Sequence, residues 1–452
     1  MKVFGSSGTR GVAITDLTPE FVLRVAEAAG TVWGTDRAAV ATDTRETGQL
    51  FADAAAAGLA SVGLDVDRLG ETPTPAVSHY CETACVPGIL LTASHNPPEY
   101  NGVKLIGSDG IELSVDSLER IEEHVLTEEF DDATWETVGK TATVETATRE
   151  YVESLLGAVD REKIAAADLT VALDPAHGAG TFASPEFYRR LGCRVITVNA
   201  QPDGHFPGRL PEPVAENLSD LCGLVRSSEA DVGIAHDGDA DRSVFVDERG
   251  RFINGDASLA ALAETELSAG ETTVAAVNVS QRLVDVCDRV GADLELTPIG
   301  ATHIITRIKE LWAEGATVPI AGEGNGGIFF PTHRLVRDGP YIGAKFLELL
   351  ADDAASAVVE PYQHYHNERI NLTYSSEAEL QAMLTAATEF ADAAANAEVS
   401  TIDGYRLDYG DAWVLVRPSG TEPKVRISSE ATTEARAADL AAELQAVLEA
   451  AR

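Results

Sequence analysis

Three short stretches of this chain combine residue types and spacings that could do chemistry. The tightest is Asp237-Gly238-Asp239-Ala240-Asp241-Arg242, where carboxylates at i, i+2 and i+4 of a turn can converge on one hard cation. Oxygen-only donors favour Mg²⁺ or Ca²⁺ over zinc. A calcium helix-loop-helix site is excluded: Glu248 falls at the twelfth place, but the glycine such a loop needs at the sixth is Arg242. A second stretch, Thr92-Ala93-Ser94-His95-Asn96-Pro97-Pro98, directly follows the apolar run 88–91. A serine there sits at the carboxyl end of a buried strand, where open α/β sheets bind ligands. Its hydroxyl needs a base or a metal before it becomes a nucleophile, and the glycine pair of a nucleophile elbow is missing. The third stretch, Arg417-Pro418-Ser419-Gly420-Thr421-Glu422-Pro423-Lys424-Val425-Arg426, supplies hydroxyls, a glycine amide, two guanidinium groups and an ammonium, the parts of a phosphate cradle.

The elements that must position these groups alternate. Thr18-Pro19-Glu20 puts a capping residue and a proline ahead of the amphipathic run 21–33, which predicts a helix start. Residues 38–42 read as a buried strand, 49–62 as an alanine-rich helix and 88–91 as a second buried strand. Polar residues 127–146 suit a surface connection. A second round follows: strand 169–173, a turn-rich loop, a helix and strand 195–198. A third starts near 255, with strand 273–277, helix 283–290, strand 292–296 and helix 304–311. Strands that alternate with helices imply parallel sheets with nearly continuous apolar strands. The last 85 residues differ, with a helical run after Ser375, strands 412–416 and 424–427 and an alanine-rich terminal helix, an α+β pattern.

Composition narrows the partners. With 44% hydrophobic and 24% charged residues the 452-residue chain reads as soluble, multi-domain and globular, and no apolar run approaches the ~18 residues that cross a bilayer. The first residues lack the basic, apolar and small-residue blocks of a secretory signal, so the cytoplasm is expected. The five cysteines read as reduced thiols, and Cys81 and Cys85 as packing residues rather than metal ligands. A net charge of −39 repels polyanions, which argues against nucleic acid or an anionic membrane as partner. With 73 acidic residues and only seven lysines among 34 basic ones, the balance reads as adaptation to concentrated salt.

Together these motifs resemble the α-D-phosphohexomutases, the family of phosphoglucomutase, phosphomannomutase and phosphoglucosamine mutase. The resemblance runs along the chain through Phe4-Gly5-Ser6-Ser7-Gly8-Thr9-Arg10-Gly11, the serine loop 92–97 followed by Asn101-Gly102-Val103-Lys104, the acidic loop 237–242, Gly322-Glu323-Gly324-Asn325-Gly326-Gly327 and the loop 417–426. It implies three related mixed α/β domains (1–148, 149–252 and 253–365) and a smaller C-terminal α+β domain (366–452) around a central cleft. It also implies one Mg²⁺ per active site, held by Asp237, Asp239, Asp241 and phosphorylated Ser94. Arg10, Lys104 and His95 join Ser94 in the catalytic set. Arg242, Glu323, Asn325, Arg417, Ser419, Gly420, Thr421 and Arg426 bind substrate.

The implied activity moves phosphate between O6 and O1 of a hexose phosphate through a hexose 1,6-bisphosphate, in a monomer or homodimer. The Asn325-Gly326-Gly327 form departs from the serine-glycine-histidine of many members and favours glucosamine phosphate, with mannose and glucose phosphate as alternatives. Some members carry histidine after the glycine of the third-domain loop; here Ala301 follows Gly300, and His303, in a different slot, is read as structural. A Mg²⁺-dependent sugar phosphatase and a non-catalytic sugar-phosphate binder are the competing readings.

Overall fold

In a computed structural model of the chain, residues 4, 8–419 and 423–452 are described. They form two compact units, 1–258 with 325–359, and 259–324 with 360–452.

The first unit contains two mixed sheets. The six strands of the first lie in the order Thr9–Val12, Tyr100–Ile106, Gly88–Leu91, Arg37–Thr42, Asp65–Glu71, Thr141–Thr143. The last four of these run parallel, while Tyr100–Ile106 and Thr9–Val12 are added antiparallel. The expected all-parallel sheet is thus a parallel centre with an antiparallel margin. Alternate residues feed two cores: Ala38, Val40, Ile89 and Leu91 join one apolar cluster, and Ala39, Ala41 and Leu90 the other, because successive side chains of a strand leave opposite faces. Helices cover both faces, which is why these strands read as unbroken apolar runs. The helix Pro19–Trp33 starts as expected, with Thr18 Oγ1 accepting from Phe21 N, and ends at Gly34 in the left-handed region. Part of the connection 127–146 does more than link: Thr141–Thr143 extends the sheet.

The second sheet orders Phe252–Ile253, Ser243–Val246, Val232–His236, Thr170–Asp174 and Arg194–Thr197, the last three parallel and the others antiparallel. The antiparallel pair Gly327–Phe330 and Arg334–Arg337 also belongs to this unit.

In the second unit, Thr272–Ala276 is flanked in parallel by Asp293–Thr297 and Ala321–Glu323, with the helices Gln281–Val290 and Ala301–Glu314 between them in sequence. The C-terminal part is an all-antiparallel sheet in the order His366–Thr373, Lys424–Ala431, Ala412–Pro418, Tyr405–Asp408, Glu398–Ser400, packed against helices Glu377–Ala393 and Glu434–Ala450. Three of those strands escaped the sequence reading: His366–Thr373 is mostly exposed, and the other two are only three and four residues long. Among the described residues no helix is long and apolar enough to cross a membrane.

Candidate active site

Two strand ends in the first unit bring the serine and the acids together. Ser94 follows Gly88–Leu91 in a turn with φ 50°, and Asp237 follows Val232–His236. The Ser94 hydroxyl donates to Asp237 Oδ2 at 2.6 Å. The loops meet backbone to side: a Cβ on Gly238 would lie 2.6 Å from the Ser94 carbonyl oxygen, so only glycine permits this approach. Sequence reading missed the clamp on the serine loop. Arg45 donates to the carbonyls of Ser94, Asn96, Pro97 and Tyr100 at 2.6–2.9 Å and pairs with Asp43 at 3.0 Å, both side chains fully buried. The signal was present in Asp43-Thr44-Arg45, charges at the carboxyl end of a strand already read as buried.

Ligand-capable oxygens of Asp237, Asp239 and Asp241 lie within 4.8 Å of one another, and all three residues are buried. Lys104 Nζ bridges Asp239 Oδ2 and Asp241 Oδ2, at 2.8 Å each. Thr74 Oγ1 adds a bond to Asp239 Oδ2 at 2.7 Å, and Arg337 Nη2 one to Asp241 Oδ2 at 2.5 Å. Neither Thr74 nor Arg337 was singled out from sequence. The opposite oxygens, Asp239 Oδ1 and Asp241 Oδ1, are buried without a hydrogen-bond partner among the described residues. Orphaned buried carboxylate oxygens are costly unless a cation takes them. Three carboxylates, two with an oxygen left over, fit Mg²⁺.

The electrostatics sort the acids. Burial, then the charges of Asp241 and Asp239, push Asp237 above the usual carboxylate range, with Arg242 and the hydrogen bond from Ser94 pulling the other way. Burial works against Asp241 as well, but Arg337, Lys104 and Arg242 outweigh it and hold it ionised. For Asp239 burial and Asp241 are overcome chiefly by Lys104. His95 Nδ1 lies 3.5 Å from Ser94 Oγ, and the charge of Arg242, then burial and Arg10, drive its pKa far down, so the ring stays neutral. Arg10 Nη1 donates to Asn96 Oδ1 at 2.8 Å. Arg242 Nε stands 3.8 Å from both Asp237 Oδ2 and Asp241 Oδ1. Asn325 Oδ1 accepts from Gly327 N at 2.9 Å, and Ser243 N donates to the Gly326 carbonyl, which joins this turn to the end of the acidic loop.

The second unit carries the remaining candidates. Glu323 ends the strand Ala321–Glu323. Arg417 and Arg426 face each other across paired strands, and Arg417 Nη1 is 3.5 Å from Asp403 Oδ2. Burial, and the nearby charges of Arg426 and Arg369 against that of Asp403, lower the pKa of Arg417. Arg369, on His366–Thr373, adds a third guanidinium that the sequence reading missed along with its strand. Ser419 N donates to the Lys424 carbonyl at 2.7 Å; Gly420 and Thr421 lie outside the described residues.

Comparison with known proteins decides the relationship. Residues 1–132, 149–250 and 254–366 match the phosphoglucomutase/phosphomannomutase alpha/beta/alpha domains I, II and III, and residues 370–447 match the C-terminal domain of the same family. The chain belongs to the phosphoglucomutase/phosphomannomutase family. This makes it a phosphohexomutase, an isomerase that transfers phosphate within a sugar. The mutase is 38% identical over 449 residues to a phosphoglucomutase/phosphomannomutase of Thermococcus kodakarensis, covering 96% of each chain. It is also 38% identical over 444 residues to a probable phosphoglucosamine mutase of Methanopyrus kandleri, covering 97% of this chain and 96% of the relative. A solved phosphoglucomutase/phosphomannomutase family protein from Burkholderia thailandensis superposes with a TM-score of 0.85 at 28% identity, over 99% of this chain and 97% of the other.

Proposed function

We propose that the mutase carries its phosphoryl group on Ser94 and moves it between O6 and O1 of a hexose phosphate through a hexose 1,6-bisphosphate, with one Mg²⁺ held by Asp237, Asp239, Asp241 and the phosphorylated Ser94. The observation that carries this reading is the 2.6 Å contact of Ser94 Oγ with Asp237, one of three acids of which two keep a buried oxygen without a hydrogen-bond partner among the described residues. Bound there, Mg²⁺ would neutralise charge on the transferring phosphoryl oxygens. Asp237 accepts from the Ser94 hydroxyl when the serine is unphosphorylated. Arg10 is bonded to Asn96 in the serine loop, Lys104 to Asp239 and Asp241, and Arg242 flanks the acids, so charge developing on the phosphoryl group meets fixed counter-charge. His95, neutral at working pH, serves as a hydrogen-bonding partner rather than a cation. Arg417, Ser419, Gly420, Thr421 and Arg426 hold the phosphate that does not react, while Glu323 and Asn325 bind the sugar.

Glucosamine phosphate is the proposed substrate, supported by the Asn325-Gly326-Gly327 form and by relatives named probable phosphoglucosamine mutase. Comparing kcat/KM on the 1-phosphates of glucosamine, mannose and glucose tests this; a preference for either of the others would overturn it. Under this proposal the protein is a cytoplasmic enzyme, a monomer or homodimer; its −39 charge supports salt adaptation and the lack of nucleic-acid or anionic-membrane partners. Ser94→Ala removes the phosphoryl carrier, so the acid-stable phosphate should vanish from the protein's mass and the rate should fall by at least ~10³-fold. A near-normal rate, or release of inorganic phosphate as main product, would overturn the assignment.

A further inference from the structure

Arg337 lies outside every motif named from the sequence, yet its side chain is only 3% exposed and its Nη2 fixes Asp241 Oδ2 at 2.5 Å. Lys104 Nζ holds the same oxygen from another direction at 2.8 Å. A carboxylate pinned through one oxygen by a planar guanidinium and an ammonium cannot rotate, so its second oxygen is fixed as well. That second oxygen, Asp241 Oδ1, is the buried one without a hydrogen-bond partner among the described residues. Asp239 is held in the same way, through Oδ2 by Lys104 and Thr74, with Oδ1 left over.

Arg337 differs from Lys104 and Thr74 in its packing. It ends the strand Arg334–Arg337, and its partner strand begins at Gly327, directly after the turn Asn325-Gly326. A Cβ on Gly327 would lie 2.9 Å from Arg337 Cδ and 2.9 Å from Asn325 Oδ1. A real Cβ cannot sit that close to the middle of an arginine chain without moving it. Position 327 is therefore the clearance through which the guanidinium reaches Asp241. The same turn is tied to the acidic loop by the bond from Ser243 N to the Gly326 carbonyl at 3.0 Å.

We infer that Arg337 is a positioning residue for the divalent cation, presenting Asp241 Oδ1 to it, and that the Asn325–Gly327 turn sets metal affinity through Arg337 without touching the ion. This rests on the acid triad being the Mg²⁺ site. Replacing Arg337 by an uncharged residue would remove both an orientation and a repulsion of the ion, two effects of opposite sign, so the informative variants keep the charge. Arg337→Lys replaces a fork by a shorter point charge; Gly327→Ala leaves every charge in place and displaces the guanidinium.

The experiment is calorimetric titration of Mg²⁺ into the full-length enzyme and its variants, with the electron-spin resonance of bound Mn²⁺ as a second readout and thermal melting in EDTA to confirm folding. Losing an outer partner of a metal ligand costs roughly 10- to 100-fold in affinity, so both variants should weaken Mg²⁺ by about 10-fold or more and broaden the Mn²⁺ signal. The double variant should be no weaker than Arg337→Lys alone, since both act through one contact. Melting of both variants in EDTA should match that of the wild type, which general damage to the fold would prevent. Folded variants with wild-type Mg²⁺ affinity, or effects that simply add, would overturn the inference. Asp237→Asn separates the two layers: if it leaves Mg²⁺ binding intact, the triad is not the metal site and both readings fall.

Discussion

Lys104 shows what a single side chain contributes here. It is 2% exposed, its ammonium lies 2.8 Å from two carboxylates, and burial, which alone would lower its pKa, is overcome by Asp239, Asp241 and Glu112. The residue therefore stays charged and neutralises part of an acid cluster that burial would otherwise expel. Breaking a buried ion pair by removing one partner costs about 3–5 kcal/mol, so Lys104→Met should lower the urea midpoint of the metal-free protein accordingly. Mg²⁺ should restore part of that loss, because the cation supplies the missing positive charge. Equal midpoints with and without Lys104 in EDTA would contradict this account.

At the scale of elements, Asp338 starts the helix Gly339–Leu349. Its Oδ1 accepts from Tyr341 N at 3.0 Å as the N-cap and from the Tyr151 hydroxyl at 2.6 Å, which fastens that helix to Ala147–Leu156. Burial pushes its carboxyl up to about 6, with the Tyr151 and Tyr341 bonds and Arg334 pulling the other way. The folded state thus binds this proton more tightly than the unfolded chain. Stability contributed by the protonated form is complete at low pH and is lost as pH rises through the folded value, a loss of about 3 kcal/mol between about pH 4 and 7. Asp338→Asn keeps the cap and cannot ionise. Its stability relative to wild type, read from urea melts, should rise by about that amount across the same interval; a difference that does not vary with pH would refute the assignment.

For the whole molecule, two features decide behaviour. Within the second unit, Arg282 pairs with Glu430 at 2.7 Å with both side chains buried, Trp413 Nε1 donates to Glu430, Arg406 donates to the carbonyls of Val277 and Val279, and Trp413 and Leu415 cluster with Val277. The C-terminal sheet is thereby fastened to residues 259–324, so deletion of 366–452 would strip a buried ion pair and an apolar face rather than remove an independent module. The other feature is the charge of −39, which repels itself most when screening is weak. Raising KCl from about 0.1 M to about 3 M shrinks the screening length from about 10 Å to below about 3 Å, so Tm and activity should both rise with salt. A Tm indifferent to KCl would remove salt adaptation from the account.

Sequence by itself determined much that depends on local chemistry: buried strands from apolar runs such as 88–91, the helix start at Thr18-Pro19, the acidic loop and the serine loop at strand ends, and the order of motifs that marks the family. Sheet polarity was less legible, because an antiparallel margin strand such as Tyr100–Ile106 is as apolar as its parallel neighbours. The mostly exposed strand His366–Thr373 gave no burial pattern to read, and Arg369 was lost with it. Only the tertiary structure decided that Arg337 serves the acids and that Arg45 clamps the serine loop. Arg337 lies 96 residues from Asp241, and Arg45 lies 49 from Ser94. Pattern along a chain records what each residue does to its own neighbours, whereas pairing across such separations is set by how strands stack into sheets.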